Sequence, residues 1–300
     1  MSPRPIAKKK PTAEPTIAIV GAGSLATSLA VALHHAGFTI SEIIARDTAS
    51  SLRRARSLAA KVGARAVTAS SAALDAGLLW FCVPDGQIRS VASALAIHLA
   101  ARTQQKKKVR FALHSSGALS SRELDPLRTV GVAVASAHPL MTFVAGAHPS
   151  LAGVPFAIEG DDPAQRVARQ IVRELGGESF ALPASRKAAY HTWATLTSPL
   201  LLAYLVTLEE AARAAGLTRA DARHKSLPII CQTLENYSRL GPAHSFSGPL
   251  VRGDAETVAK HLAALKKQPA AREVYVALAR AALRGLPVKN RAELTRLLQK

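Results

Sequence analysis

A glycine-rich segment near the N-terminus has the spacing that holds a diphosphate. In TIAIVGAGSLA, residues 16–26, a β-branched run ends at Gly21 and a helical pattern begins at once. Gly21 permits a tight turn, Gly23 lets the backbone approach a diphosphate, and the small Ala26 lets the helix pack close to the strand. The diphosphate would bind free N–H groups at the positive end of the helix. The residues predicted to bind a dinucleotide here are Gly21, Ala22, Gly23, Ser24 and Leu25.

The end of the second predicted strand indicates which dinucleotide binds. Arg46 and Asp47 lie about twenty residues beyond the glycine turn, where the ribose 2′ position is recognised. An acidic residue in the first place would favour NAD, whereas Arg46 can hold a 2′-phosphate through two parallel N–H bonds. Incidental arginines at a helix start, with Asp47 as its cap, are the alternative. The sequence favours NADP(H).

Polar residues follow three further predicted strands. They are Val83-Pro84-Asp85, His114-Ser115-Ser116-Gly117 and His138-Pro139-Leu140. In an open α/β sheet, ligands bind beyond the carboxyl ends of the strands. Each residue alone is equally typical of a turn or a cap, but two histidines at two such ends favour a site. We expect Val83, Pro84, Ser115 and Ser116 at the cofactor, His114 in catalysis and His138 at the substrate.

A predicted helix after Pro183 carries polar residues on one face. Lys187, His191, Thr195 and Ser198 are spaced four, four and three residues apart. The rest of this helix is apolar, so we expect it to be buried, and buried polar groups must find partners or line a cavity. Lys187 or His191 would supply the proton that accompanies hydride transfer, and Ser198 would contact substrate. The alternative is a solvated Lys187 and a His191 packed in the core.

A loop predicted at 241–253 ends with another candidate. Arg252 can bind a carboxylate or phosphate, and Asp254 can cap the next helix. Because glycines and prolines are frequent here, a purely structural loop is the alternative.

These residues are positioned by an alternation of strand and helix patterns. Strands are predicted at 16–20, 39–45, 64–68, 77–83, 109–114, 131–137, 154–159 and 178–182, with helices at 24–36, 48–62, 86–101 and 162–175. This order predicts an α/β fold with a Rossmann-like, doubly wound, mainly parallel sheet. Only helical patterns follow. The expected organisation is a disordered basic tail over 1–14, a dinucleotide-binding domain over 15–183 and an all-α domain over 184–300.

Composition limits the remaining possibilities. The 300 residues carry a formal charge of +19, partly in the N-terminal tail and in the run from Lys106 to Arg110. Such charge attracts polyanions, but no nucleic-acid module is present, so solvated faces are favoured over a specific nucleic acid. We expect no membrane span, secretory signal or metal site. Two distant cysteines, Cys82 and Cys231, predict reduced thiols and a cytoplasmic location.

Motifs along almost the whole chain beyond the tail resemble one family. They are IAIVGAGSLATSLA, FCVPDGQI, HSSGALSS, SAHPLMTF, KAAYHTWA and FSGPLVRGDAETVAKHL. The chain resembles Rossmann-like NADP-dependent oxidoreductases with a helical C-terminal domain of unknown function. These are distant relatives of pyrroline-5-carboxylate reductase, ketopantoate reductase and the β-hydroxyacid dehydrogenases. The resemblance implies a helical domain that often forms homodimers and an active site between the domains.

The same resemblance implies which residues approach that cleft: His114, Ser116, His138, Lys187, His191 and Arg252. The sequence departs from the β-hydroxyacid dehydrogenases at His191, where they carry asparagine, and at Ser198-Pro199, where closer relatives carry Ser-Asn. The leading hypothesis is an NADP(H)-dependent oxidoreductase acting on a small carbonyl, imine or hydroxyacid. The alternative is an NADP(H)-binding sensor or regulatory protein without turnover.

Overall fold

The computed structural model describes residues 15–101 and 109–299. The tail predicted over 1–14 and the lysines 106–108 of the basic run lie outside these ranges. The chain forms two compact units, of which the first ends at Ala194 and the second begins at Thr195.

The first unit is built on an eight-stranded sheet, and every predicted strand is present. The strands are β1 Ile17–Val20, β2 Ile40–Ala45, β3 Arg65–Thr68, β4 Leu78–Phe81, β5 Phe111–His114, β6 Ala133–Pro139, β7 Pro155–Gly160 and β8 Glu178–Ala181. Their order in the sheet is β3-β2-β1-β4-β5-β6-β7-β8. All neighbours are parallel except β6 and β7, which are antiparallel. The predicted doubly wound, mainly parallel sheet is confirmed.

Helices cover both faces of this sheet. They are α1 Ser24–His35, α2 Ala49–Val62, α3 Ile88–Ala100, α4 Asp125–Arg128, α5 Asp162–Glu174 and α6 Lys187–Thr197. Residues of α1, α2 and α5 pack in the apolar layer on one face, and residues of α3 and α4 pack in the layer on the other. Strands β1 and β4 are therefore buried at every position, which explains their unbroken apolar sequences.

The strand order places the turns that follow β1 and β4 side by side. The chain runs outward from β1 through β2 to β3 and then returns to β4, which pairs with the other edge of β1. The carboxyl ends of β1 and β4 thus meet at the switch point of the sheet, where α/β proteins bind their ligands.

The second unit is helical, as expected. Its helices are α7 Pro199–Ala211, α8 Arg219–Ser245, α9 Pro249–Arg252, α10 Ala255–Ala264, α11 Pro269–Gly285 and α12 Arg291–Gln299. Two predicted caps are present: Thr218 Oγ1 accepts from the Asp221 N–H at 3.1 Å, and Asp254 Oδ1 accepts from the Thr257 N–H at 2.9 Å. None of the helices in the described ranges has the length and apolar character needed to cross a membrane.

Four local expectations are wrong. The helix expected to continue through Ser198 ends at Thr197, because Pro199 lacks an N–H and instead starts α7. The apolar residues around this break are exposed rather than buried, Leu202 by 63%.

The region predicted as a loop over 241–253 contains helical turns. The backbone leaves helical angles at Gly241, with φ 74° and ψ 172°, but helical turns resume before Ser245 and again in α9. Helix α2 is capped by Thr48, whose hydroxyl accepts from the Ser51 N–H, and not by Asp47.

Candidate active site

A cavity of about 240 Å³ opens at the switch point of the sheet. Its lining includes six residues predicted to bind the cofactor: Gly21, Ala22, Gly23, Arg46, Val83 and Pro84. The predicted Ser24 and Leu25 form the first turn of α1.

The glycine turn has the two properties that the sequence indicated. Gly21 has φ +114°, and a Cβ there would lie 2.4 Å from the Cys82 carbonyl oxygen, so no other residue fits. At Gly23 a Cβ would meet no atom within 4 Å. This open space lies in front of the N-terminus of α1, whose first N–H groups carry no side-chain cap. The turn therefore fits a diphosphate.

Two arginines line the same cavity near the end of β2. Arg46 follows the strand directly, and Arg54 comes from α2. Arg54 Nη2 donates to Ser51 Oγ at 3.3 Å, and Ser51 also lines the cavity. Of these two arginines, the sequence pattern indicated only Arg46. The position of Arg54, eight residues further along the chain, depends on how α2 packs against β2.

Lys187 is buried at the start of α6 and bonded to the protein. Its Nζ donates to the Ser116 carbonyl oxygen at 2.8 Å and to Ser136 Oγ at 2.5 Å, and only 1% of the residue is exposed. Burial lowers the Lys187 pKa to about 8, against the opposing effect of the Glu159 and Asp85 carboxylates. The alternative of a solvated Lys187 and a His191 packed in the core is wrong at both residues, since Lys187 is buried and His191 is exposed.

Ser116 connects the end of β5 to the loop after β4. Its hydroxyl donates to Asp85 Oδ2 at 2.8 Å and accepts from the N–H groups of Ala118 and Leu119. Pro84 lines the cavity, and Asp85 is the next residue in the chain. The contact between Asp85 and Ser116 therefore connects the cavity wall with the residues around Lys187. Ser115 faces another way, because its hydroxyl accepts from Trp80 Nε1 at 2.9 Å.

His114 is fully buried and bonded to the main chain through both nitrogens. Nδ1 accepts from the Ser116 N–H at 3.1 Å, and Nε2 lies 3.0 Å from the Ser120 carbonyl oxygen, to which it donates. This arrangement requires the neutral ring. Burial, followed by the charge of Lys187, lowers the His114 pKa to about 3. The geometry gives His114 the task of shaping the loop that carries Ser116.

A second histidine, His138, pairs with a tyrosine that the sequence analysis did not select. His138 Nδ1 lies 2.7 Å from Tyr190 Oη, and the rings meet edge to face with centroids 5.5 Å apart. The His191 ring is also close to His138, at 6.3 Å between centroids. Burial lowers the His138 pKa to about 4, with help from Lys187 and His191.

The pairing follows from the periods of a strand and a helix. Ser136 and His138 alternate on β6 and point to the same face, while Lys187 and Tyr190 are three residues apart on α6. Two parallel contacts result, Ser136 with Lys187 and His138 with Tyr190. The alternation on β6 was visible in the sequence, but nothing local indicated that α6 packs there.

Five predicted residues therefore lie together in the first unit: His114, Ser116, His138, Lys187 and His191. The predicted Ser198 and Arg252 belong to the second unit, Ser198 between α6 and α7 and Arg252 at the end of α9. No group of three or more metal-ligating side chains occurs within residues 15–101 and 109–299.

Sequence comparison agrees with this architecture. Residues 5–139 match the Rossmann-like domain, and residues 154–282 match the domain of unknown function DUF2520. The chain is a Rossmann-like protein with a C-terminal DUF2520 domain. The relationship indicated by the motifs is thereby confirmed. The DUF2520 match includes β7, β8 and α6, so it also covers part of the first unit. A search of curated proteins finds no match.

Solved structures share the fold of this DUF2520 protein. A candidate NADP oxidoreductase from Bacteroides fragilis is 23% identical, with a TM-score of 0.71, over 89% of this chain and 97% of its own. A pyrroline-5-carboxylate reductase from Coxiella burnetii is 17% identical, with a TM-score of 0.56, over 94% and 98%. A reductive aminase from Aspergillus terreus, in complex with NADPH and ethyl-5-oxohexanoate, is 17% identical, with a TM-score of 0.59, over 94% and 99%. At such identities the likeness is one of fold.

Proposed function

We propose that this protein is an NADP(H)-dependent oxidoreductase that transfers hydride to or from a small carbonyl, imine or hydroxyacid in the cytoplasm. The observation that carries the proposal is the cavity at the switch point. It combines a glycine turn open to a diphosphate with Arg46 and Arg54 near the end of β2. The fold neighbours that are NADP oxidoreductases and reductases support the same class.

Each part of the cavity has a role in this proposal. Gly21 and Gly23 accommodate the diphosphate, with Ser24 and Leu25 supplying N–H groups at the start of α1. Arg46 and Arg54 bind the 2′-phosphate. When bound, a reduced nicotinamide would supply the hydride, and Val83 and Pro84 would form its wall beside the Ser116 cluster.

The proposal assigns two further functions to the second unit. Ser198 and Arg252 bind the substrate, Arg252 through an anionic group. Large apolar side chains on α7 and α8 are exposed, among them Leu202, Ile229 and Leu234. An apolar surface of this kind is typical of an interface, and we assign it to a second copy of the chain in a homodimer. Light scattering on the purified protein measures the molar mass, and a strictly monomeric protein would exclude this assignment.

The first experiment is a fluorescence titration with NADPH and NADH, on the wild type and on Arg46→Ala and Arg54→Ala. Loss of one charge-assisted bond costs about 1.5–3 kcal/mol, so each variant should weaken NADPH binding by roughly 10- to 150-fold and leave NADH binding unchanged. Arg53→Ala is the matched control, because Arg53 is an exposed arginine of α2 outside the cavity lining. Equal affinity of the wild type for both nucleotides would refute the selection of NADP(H).

A second function is favoured by the burial of Lys187. Because both of its hydrogen bonds go to the protein, this lysine does not face a ligand in the present conformation. A sensor that binds NADP(H) without turnover would need no exposed proton donor. Tight NADPH binding without oxidation of NADPH, across a panel of carbonyl and imine compounds, would favour the sensor over the enzyme.

A further inference from the structure

The pairing of His138 with Tyr190 gives the site a proton donor of defined geometry. Tyr190 is 7% exposed, and its ring is held between Phe180 and Trp193, at centroid distances of 6.0 and 5.9 Å. Its hydroxyl is therefore fixed against His138 Nδ1, at 2.7 Å. A tyrosine hydroxyl at this position orients the imidazole, and when it donates to Nδ1 the ring proton is on Nε2.

The other nitrogen of His138 lies at the end of β5. A Cβ at Gly117 would lie 2.8 Å from His138 Nε2 and 2.8 Å from His191 Cδ2, so both rings approach the main chain where no side chain intervenes. Within the described residues Nε2 has no hydrogen-bond partner, and His138 is only half-buried. This nitrogen is available to a ligand.

The other titratable groups of the cluster are less suited to this role. Lys187 is 1% exposed and donates to Ser116 and Ser136. Both nitrogens of His114 are bonded to the main chain. Of Lys187, His114 and His138, only His138 combines a fixed inner nitrogen with an open outer one.

We propose that His138 Nε2 donates the proton to the reacting substrate and that Tyr190, a positioning residue, fixes the tautomer and replaces that proton. This proposal rests on the proposed reductase function. As the hydride adds to the carbonyl or imine carbon, the C=O or C=N π pair moves to the heteroatom, which takes the Nε2 proton. As Nε2 gives up its proton, Nδ1 takes the Tyr190 hydroxyl proton. The tyrosinate then takes that proton back, and a proton from water returns to Nε2, so both groups are restored and water supplies the proton that the product keeps.

The groups that face His138 keep it in the required state. Burial and the neighbouring Lys187 and His191 lower the His138 pKa to about 4, so the ring is neutral at pH 7. Burial raises the Tyr190 pKa to about 12, so its hydroxyl is protonated at pH 7 and can donate a hydrogen bond. His114, another histidine of the cluster, is neutral as well. A neutral imidazole can act as an electrophilic hydrogen-bond donor toward a carbonyl.

The tautomer can be measured directly, without substrate. We would record ¹⁵N NMR spectra of histidine-labelled protein between pH 6 and 8 and assign His138 by the signal lost in His138→Gln. The expected result is a proton on Nε2 and none on Nδ1, with mixed tautomers in Tyr190→Phe. A proton on Nδ1 in the wild type, or an unchanged tautomer in Tyr190→Phe, would overturn the proposal.

Kinetics test the role in turnover. His138→Gln and Tyr190→Phe should each lower kcat at least tenfold while the NADPH Kd stays unchanged. The matched control is Tyr275→Phe, because Tyr275 Oη makes a similar contact with His261 Nδ1, at 3.1 Å, in the second unit. An active wild type with full activity in Tyr190→Phe contradicts this proposal alone. A wild type that neither binds NADPH nor reduces any compound contradicts the reductase function itself.

Discussion

Lys187→Met should change the pH dependence of stability in a defined direction. The wild type buries an ammonium group whose pKa falls from 10.5 to about 8 on folding, mainly through desolvation. This fall in pKa means that the charged lysine destabilises the folded state by about 3 kcal/mol relative to the neutral lysine. The methionine variant has no such group, and its apolar side chain matches the buried position in length.

The sign follows from which state binds the proton. Between pH 8 and 10.5 the unfolded chain keeps the Lys187 proton while the folded chain releases it. Below pH 8, the buried charge lowers the wild type's free energy of unfolding by its full cost. The free energy of unfolding rises between pH 8 and 10.5, and above pH 10.5 the charge no longer lowers it. Relative to Lys187→Met, the wild type should gain about 3 kcal/mol across the window. At pH 7 the variant loses hydrogen bonds to Ser116 and Ser136 but also loses the buried charge, so the two effects oppose each other.

The assay is urea denaturation of both proteins at pH values from 7 to 10.5. The quantity of interest is the difference between their free energies of unfolding, because other lysines and tyrosines titrate equally in both. Lys61→Met removes an exposed lysine of α2 and controls for the loss of one positive charge. A wild-type-minus-variant difference that stays constant from pH 7 to 10.5 would refute the assignment of Lys187 as a buried ammonium.

Three further outcomes follow from the geometry of the first unit. Gly21→Ala should lower the melting temperature and abolish NADPH binding, since its Cβ would meet the Cys82 carbonyl. Gly23→Ala should fold normally and bind NADPH at least tenfold more weakly, because its Cβ would enter the open space in front of α1. Thermal melts measure the first effect, and NADPH titrations measure the second. Gly117→Ala should displace the two histidine rings beside it, which ¹⁵N NMR detects as altered histidine signals in a folded protein. Burial raises the Cys82 pKa to about 12, so alkylation at pH 8 should modify the exposed Cys231 and spare Cys82, with mass spectrometry as the readout; rapid modification of Cys82 would contradict its raised pKa.

Features that depend on local sequence were predictable here. The glycine turn, the strand before it and the helix after it lie within residues 17–35, and all three are where the sequence placed them. Arg46 was identified because it follows β2 directly. The central strands followed from apolar runs bounded by turns, since a sheet covered on both faces requires such runs.

Features that depend on distant contacts were not predictable. The partners of Lys187 are 71 and 51 residues earlier in the chain, so helical periodicity could not show that this residue is buried. Tyr190 escaped notice because its neighbours on α6 suggested a polar stripe through His191 instead. The exposed leucines of α7 followed the apolar pattern of a core helix, and sequence periodicity does not distinguish a core from a surface that a partner covers.

Helix α6 sets a constraint on how the two halves of such a protein can be exchanged. It begins at Lys187 and ends at Thr197, whereas the first unit ends at Ala194. A chimaera joined at residue 184 would set a foreign helix against Ser136 and His138 of the host sheet. A chimaera joined after Ala194 would keep these native contacts and replace only the helices beyond. Recombination between relatives can therefore vary the helical half while inheriting the host's contacts around Lys187 and His138, provided that the crossover falls inside a single helix.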